Sequence, residues 1–279
     1  MIKAVTKWVM LLFALWQCQA SFGSPSVDRD AFTAFFQARF PDIPLAEYAN
    51  GIYAIDLDAR EQWQEIEIFP PYEFTLDQGR TLWEEKFADG KTYADCFVGS
   101  ESGVRQLYPM FDKSSGEVVT LEMALNQCRE KHGLPSLEYG GEHLVALSAF
   151  MAFQSRGNPI NVTVATDDPD ALAAYEDGKR FYYTKRGQLN FSCFDCHVTS
   201  VGQYVRADRL GPGLGQPTHF PVYRSKLGGM ISLHQRFYGC IRDVRAKPFE
   251  LQSREYRNLE YFLTYMSNGL EVNGPGARK

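Results

Sequence analysis

In a chain of 279 residues, the stretch Cys193-Phe194-Asp195-Cys196-His197 is where residue types and spacing specify a chemistry most directly. Two thiols two residues apart, followed at once by an imidazole, match the attachment signature for a c-type haem: each thiol bonds a vinyl group and the imidazole takes one axial face of the iron. A bare C-x-x-C pair has rivals in zinc sites and thiol-redox motifs. Zinc would need two more ligands in a compact second pair, and the chain has neither a second C-x-x-C nor an H-x-x-x-H. A thioredoxin-like pair would sit between a strand and a helix, whereas Phe181 to Asn190 reads as a fading helix and a polar loop. The expectation is one covalently bound haem c on Cys193 and Cys196, with His197 on the iron.

The elements that must position this motif are sought in the rest of the chain. At 44% hydrophobic and 14% aromatic, it can bury the core of one large or two small domains. The net charge of −5, with both signs mixed along the chain, gives no nucleic-acid footprint. Lys3 and Lys7 precede an apolar run from Trp8 to Trp16, and Cys18-Gln19-Ala20 ends it with small residues where a signal peptidase reads. Residues 1–20 are therefore expected to be a cleaved signal peptide, with the mature protein in the periplasm. The run is too short to span a bilayer comfortably, a short membrane anchor being the alternative, and Gln17 sits where a lipoprotein site at Cys18 would want a small residue.

Residues 21–74 read as an N-terminal extension. A polar leader precedes Phe32, Phe35, Phe36 and Phe40, which are spaced as one face of a helix that Pro41 stops. The region through Phe69-Pro70-Pro71 is open between strand and loop. Thr75-Leu76-Asp77-Gln78 then has the form of a capping box, opening a helix to about Ala88 that ends at Gly90.

From there the chain repeats itself. Gly79-Arg80-Thr81-Leu82-Trp83 leads to Cys96 as Gly178-Lys179-Arg180-Phe181-Tyr182 leads to Cys196. Tyr108-Pro109-Met110-Phe111 matches Phe220-Pro221-Val222-Tyr223, followed at one common interval by Cys128 and Cys240. Ser155-Arg156-Gly157 and Ser267-Asn268-Gly269 then follow those cysteines at a second common interval. The repeat implies a mainly α fold: two tandem cytochrome c-like helical domains, the first without haem, over residues 75–157 and 158–279. Closing helices are expected over Gly141 to Gln154 and Glu255 to Ser267, and Asp168-Pro169 opens the first helix of the second domain.

The copies differ where chemistry would occur. Tyr93-Ala94-Asp95-Cys96-Phe97 stands where the second copy has its haem motif, so one thiol and the imidazole are missing. Cys96 and Cys128 then have a bland role as a disulfide across what would have been the haem crevice. The thiol matching Cys128 is Cys240, left over in an exported protein and flanked by Arg236, Arg242, Arg245 and Lys247. Across the crevice it could take the second axial position. The arginines, otherwise a solvated basic face, would lower its pKa and offer forks for a sulfur oxyanion. Met266, Met230, His219 and His234 are the other axial candidates by position, each more simply read as packing or surface; His132 and His143 belong to the haemless copy.

Paired domains, a single C-x-x-C-H and the run R-F-x-G-C-x-R-x-V-R-A-x-P at Arg236 to Pro248 resemble the SoxA family, the larger subunit of the SoxAX cytochromes of thiosulfate-oxidising bacteria. The resemblance covers nearly the whole mature chain. It implies an L-cysteine S-thiosulfotransferase that pairs with the small cytochrome SoxX and joins thiosulfate oxidatively to a cysteine of the carrier SoxYZ. It also implies that Cys240 is both haem ligand and persulfide-modified active residue, and that Arg236 contacts substrate; Arg242 and Arg245 are further candidates. Tyr93 and Phe97 depart from two-haem members and fit the single-haem type. The alternative is a plain periplasmic electron-transfer cytochrome, with Met266 as second ligand.

Overall fold

The computed structural model describes residues 24–278, so the signal expected over residues 1–20, with Cys18, lies outside the described residues. Helix α1 (Pro25–Arg39) starts at Ser24, whose hydroxyl accepts from the Val27 N–H, and Pro25 fixes the first helical φ. It buries Phe32 and Phe36. The stretch left open between strand and loop is helical. It forms 3-10 turns over Leu45–Ala54, broken at Gly51 (φ 61°), then α2 (Leu57–Ile68), capped by the Asp56 side chain on the Ala59 N–H. Tyr53 stacks on Trp63 at 4.9 Å and ties the two pieces together.

Helix α3 (Glu73–Glu84) corrects one expectation. The capping box at Thr75 to Gln78 does not form, because the helix has already begun: buried Tyr72 is the N-cap, and the Pro70 carbonyl accepts from the Glu73 N–H. Gln78 instead reaches the Glu142 carboxylate on a neighbouring helix at 3.3 Å. The helix also ends at Glu84, short of Ala88, because buried Phe87 turns inward over a tight turn closed by its N–H on the Lys91 carbonyl.

The rest of the first unit is the hairpin β1 (Met110–Asp112) and β2 (Glu117–Val119), then α4 (Leu121–Lys131) and α5 (Glu142–Gln154). The second unit has α6 (Pro169–Tyr183), capped by Asp168, and the small hairpin β3 (Tyr204–Val205) and β4 (Asp208–Arg209). Then come the hairpin β5 (Val222–Arg224) and β6 (Gly229–Ile231), α7 (Leu233–Asp243) and α8 (Arg254–Met266). A last strand, β7 (Gly276–Arg278), runs parallel to β5. The polar, glycine-rich tail carries no strand signal in its sequence.

The repeated glycines have a packing reason. A Cβ on Gly79 of α3 would run into the Ala146 carbonyl of α5, and one on Gly178 of α6 into the Asn258 carbonyl of α8. Each glycine thus lets the first and last helices of its unit cross backbone to backbone. Gly178→Val is expected to lower stability by about 3 kcal/mol, since backbone cannot yield as a side chain can. A urea unfolding curve checks this, and a loss well under 1 kcal/mol would contradict the crossing.

Each unit has its own core. In the first, Cys96 and Cys128 are joined as a disulfide, their Cα atoms 6.0 Å apart. Beside it Trp83 stacks on Tyr93 at 5.9 Å, and Phe97, Leu125 and Phe150 fill the remaining space. Tyr93 and Phe97, the residues standing at the haem-motif positions, are buried in this aromatic plug. The bridge closes a loop with a sequence separation of 32. Replacing both cysteines by serine is expected to cost about 3–4 kcal/mol on loop-entropy grounds. Denaturation of the double variant, with haem content followed in parallel, checks this; haem should be retained. The second core takes in Phe32, Phe36 and Tyr48 from the extension, so the extension packs against the second unit.

Candidate active site

Helix α7 is held at both ends. At its start Ser232 and Gln235 cap one another: the Ser232 hydroxyl accepts from the Gln235 N–H at 3.2 Å and Gln235 Oε1 from the Ser232 N–H at 2.8 Å. His234, 1% exposed, accepts the Gln252 N–H on Nδ1 at 3.1 Å and turns Nε2 toward Glu260 of α8 at 3.0 Å. At the far end the loop leading into the haem motif lies backbone to backbone on the helix. Gln188 N–H donates to the Arg245 carbonyl at 3.4 Å and Leu189 N–H to that of Val244 at 3.3 Å. Gly187 (φ 72°) makes this approach feasible, since a Cβ there would strike the Val244 carbonyl.

This docking brings Cys240 to the haem motif. Burial pushes the Cys193 thiol up to about 12, and the neighbouring Cys240 sulfur adds to it. Cys196 is raised by the same two causes in the same order. The three cysteines carry no disulfide and are half-buried. The motif is shaped by a reciprocal cap: Asp195 accepts from the Ser192 N–H at 2.8 Å, and Ser192 Oγ accepts from the Asp195 N–H at 3.1 Å.

His197 Nδ1 lies 2.9 Å from the Gly211 carbonyl, the geometry of a donor to that oxygen. Burial, with the Arg236 charge acting in the same direction, brings its pKa down to about 4 against the opposing Gly211 bond. The ring is neutral at pH 7, with its Nε2 lone pair free apart from the Gln216 amide at 3.3 Å. A neutral imidazole whose other nitrogen is fixed by a carbonyl is the state an iron ligand needs. Beside the motif, the Tyr182 hydroxyl is buried without a protein partner, and burial, then the Cys193 sulfur, hold its pKa well above the ordinary value. Two thiols and this imidazole are the donor set a haem c needs, with a third sulfur near the thiols, and the residues fit that group.

A cavity of about 260 Å³ opens beside His197. Gly211, Gln216 and Arg236 line it, and the extension closes it through Gly51, Ile52 and Tyr53. Of the three arginines singled out in the sequence, Arg236 faces this cavity. Arg242 and Arg245 are exposed and do not line it. Three of the other axial candidates are engaged elsewhere. Met266 is 1% exposed in the second core, His234 is tied to Glu260, and Met230 packs on the cluster around Tyr72 and Leu76. His219 lines the cavity, buried against Gly51 and kept neutral by burial. In the first unit, His132 binds Asp89 at 2.6 Å beside the disulfide. Three cavity arginines went unremarked in the sequence: Arg209, Arg224 and Arg278.

Two helical units of one pattern, the second carrying the C-x-x-C-H motif with a further cysteine near it, define a class: a mainly helical, two-domain c-type cytochrome. A family model described as the SoxA/TsdA cytochrome c domain matches residues 78–160, nearly all of them in the first unit. The chain is 54% identical over 256 residues to an L-cysteine S-thiosulfotransferase subunit SoxA of Allochromatium vinosum, covering 92% of this chain and 91% of that one. It is 48% identical to the subunit of the same name from Chlorobaculum tepidum, over 91% and 88% of the two chains. The crystal structure of SoxXA from P. pantotrophus superposes with a TM-score of 0.71 at 32% identity, over 78% of this chain and 84% of that one. The chain belongs to the SoxA family.

Proposed function

We propose that this chain is the catalytic subunit of a periplasmic L-cysteine S-thiosulfotransferase, with Cys240 as its reactive residue. The observation that carries the reading is the docking of α7 on the haem-motif loop, which sets Cys240 beside Cys193 and places Arg236, one turn earlier, in the wall of the adjoining cavity. The names of the relatives supply the reaction: transfer of thiosulfate to a cysteine. The alternative, a plain electron-transfer cytochrome with Met266 on the iron, is not favoured; Met266 is enclosed in the core.

In this reading Cys193 and Cys196 would attach one haem c, and His197 and Cys240 would supply the ligands the chain offers its iron. The haem, when bound, supplies a one-electron acceptor whose potential a sulfur ligand lowers. Arg236 holds the oxyanion end of thiosulfate and so points its terminal sulfur at Cys240. Arg242 and Arg245, exposed beyond Cys240, draw the dianion toward the helix end. Joining thiosulfate to the Cys240 thiolate forms one S–S bond and removes two electrons; attack of the carrier's thiolate on the thiosulfate sulfur bonded to Cys240 then moves the group to the carrier and releases the Cys240 thiolate. A single haem accepts one at a time, so a second acceptor is needed, and the small cytochrome SoxX provides it. The P. pantotrophus relative was crystallised as SoxXA, which supports that partnership. SoxYZ is the carrier, the domain limits are 75–157 and 158–279, and residues 1–20 direct export.

The test is reconstitution of the haem-loaded complex with thiosulfate, a carrier thiol protein and an electron acceptor. The carrier is expected to gain the mass of one thiosulfate-derived group for every two electrons delivered. Intact mass of the chain should show a single haem. Electron flow with no mass gained by the carrier would favour the plain cytochrome.

A further inference from the structure

The cavity beside His197 holds more positive charge than Arg236 explains. Arg224, at the end of β5, and Arg278, on β7, line the same space. Arg224 has no ion-pair or hydrogen-bonding side-chain partner among the described residues. Its pKa is held down by burial and then by the charge of Arg236, against the smaller opposing charge of Asp208, so the two guanidinium groups are near neighbours. Arg278 is 6% exposed, and its Nε has no partner. Its other nitrogens donate to the carbonyls of Ala277 at 2.8 Å and Asn50 at 3.4 Å, its plane lies over Tyr53 at 4.5 Å, and the Tyr53 hydroxyl and then the Glu67 carboxylate act on its charge without an ion pair. Among the described residues no carboxylate lining the cavity forms an ion pair with these three arginines: Asp58 is exposed at its rim, Asp208 is exposed there and acts on Arg224 through its charge alone, and Asp56 engages Arg209 at 3.7 Å.

The internal repeat provides an independent comparison. In the haemless copy the residue matching Arg224, at the end of β1, is Asp112, and the residue four before Cys128 is Ala124, where the haem copy has Arg236 four before Cys240. The fold thus forms the same hairpin and helix without either cation. The charge pair occurs only where the haem motif does.

We propose that Arg224 and Arg278 complete, with Arg236, an oxyanion seat in the wall of the haem cavity. Planar forks that no protein carboxylate pairs with directly are matched to a group bearing two or more oxygens, bound with paired charge-assisted hydrogen bonds. Two sources offer that chemistry: the oxygen-bearing end of thiosulfate and the carboxylates of the cofactor. The assignment rests on reading this cavity as the haem and sulfur site.

The haem-loaded complex carrying Arg224→Gln is titrated with thiosulfate through the haem absorption spectrum, and its reduction potential is measured against pH. An apparent Kd raised about tenfold or more at unchanged potential places thiosulfate on the seat, the size expected for one charge-assisted hydrogen bond. An unchanged Kd with a shifted potential and a displaced pH dependence places the cofactor carboxylates there. Parental values of both overturn the proposal. Arg278→Lys keeps the buried charge and removes the fork; it should move the same observable as Arg224→Gln, and parental behaviour in both variants assigns these arginines to packing alone. Should Cys240→Ala abolish conjugation while Arg224→Gln changes neither observable, the enzyme reading stands and the seat alone fails.

Discussion

Cys240→Ala is expected to lower thiosulfate conjugation by about three orders of magnitude or more, the scale seen when a covalent nucleophile is removed. Haem content should not change, because attachment depends on the thiols of Cys193 and Cys196 and not on Cys240. The fold should persist as well: Cys240 is half-buried and carries no disulfide, while α7 is anchored by Ser232, Gln235 and His234 at one end and by the Gly187 loop at the other. The spectrum of the oxidised haem should change with the loss of a sulfur ligand. Unchanged turnover in a haem-loaded variant would remove Cys240 from the chemistry and restore the electron-carrier reading.

The second large effect concerns the seam between the units. Glu260 of α8 is 3% exposed and meets His234 of α7 at 3.0 Å and Arg105, from the haemless unit, at 3.8 Å. Arg105 is 5% exposed. Removing the carboxylate leaves a buried guanidinium uncompensated, so Glu260→Leu is expected to cost about 3–5 kcal/mol. Adding Arg105→Met should recover much of that, because an apolar pair of similar volume does not need the ion pair. Burial opposes ionisation of Glu260, yet His234 and Arg105 hold its pKa below the ordinary 4.5. A depressed carboxylate contributes stability present above its unfolded pKa and lost as pH falls through the folded value. The parent chain should therefore weaken on acidification below about pH 4.5 more steeply than Glu260→Leu does. Nearby Glu122, raised by burial and then by the Glu260 charge, acts oppositely and should return toward the ordinary value in that variant. Chemical unfolding from pH 3 to 7 reads both effects; a loss under about 1 kcal/mol at pH 7 would show that the seam does not depend on this carboxylate.

The haemless unit thus has a structural task. Through Arg105 and the Gln235 bond to the Gly140 carbonyl at 3.1 Å, it braces the helix that carries Arg236 and Cys240. None of this was readable from composition, since His234, Glu260 and Arg105 lie far apart in the chain. The haem motif, the repeat and the leftover thiol were legible because covalent chemistry and duplication leave fixed spacings. Asp168 and Pro169 marked a helix start because the cap is local, whereas the Thr75 box failed because buried Tyr72 starts that helix earlier. Arg224 and Arg278 escaped notice for a different reason: strands of three residues carry no periodic signal, and only the parallel pairing of β7 with β5 puts both guanidinium groups in one cavity.

The central claim, that the reactive sulfur is on Cys240, is tested most directly by mass mapping of the haem-loaded chain after thiosulfate turnover. The peptide containing Cys240 is expected to carry additional sulfur that a thiol reductant removes, with Cys193 and Cys196 fixed to the haem. A Cys240 peptide of unmodified mass throughout turnover, with the sulfur found on another residue or on none, would contradict the account.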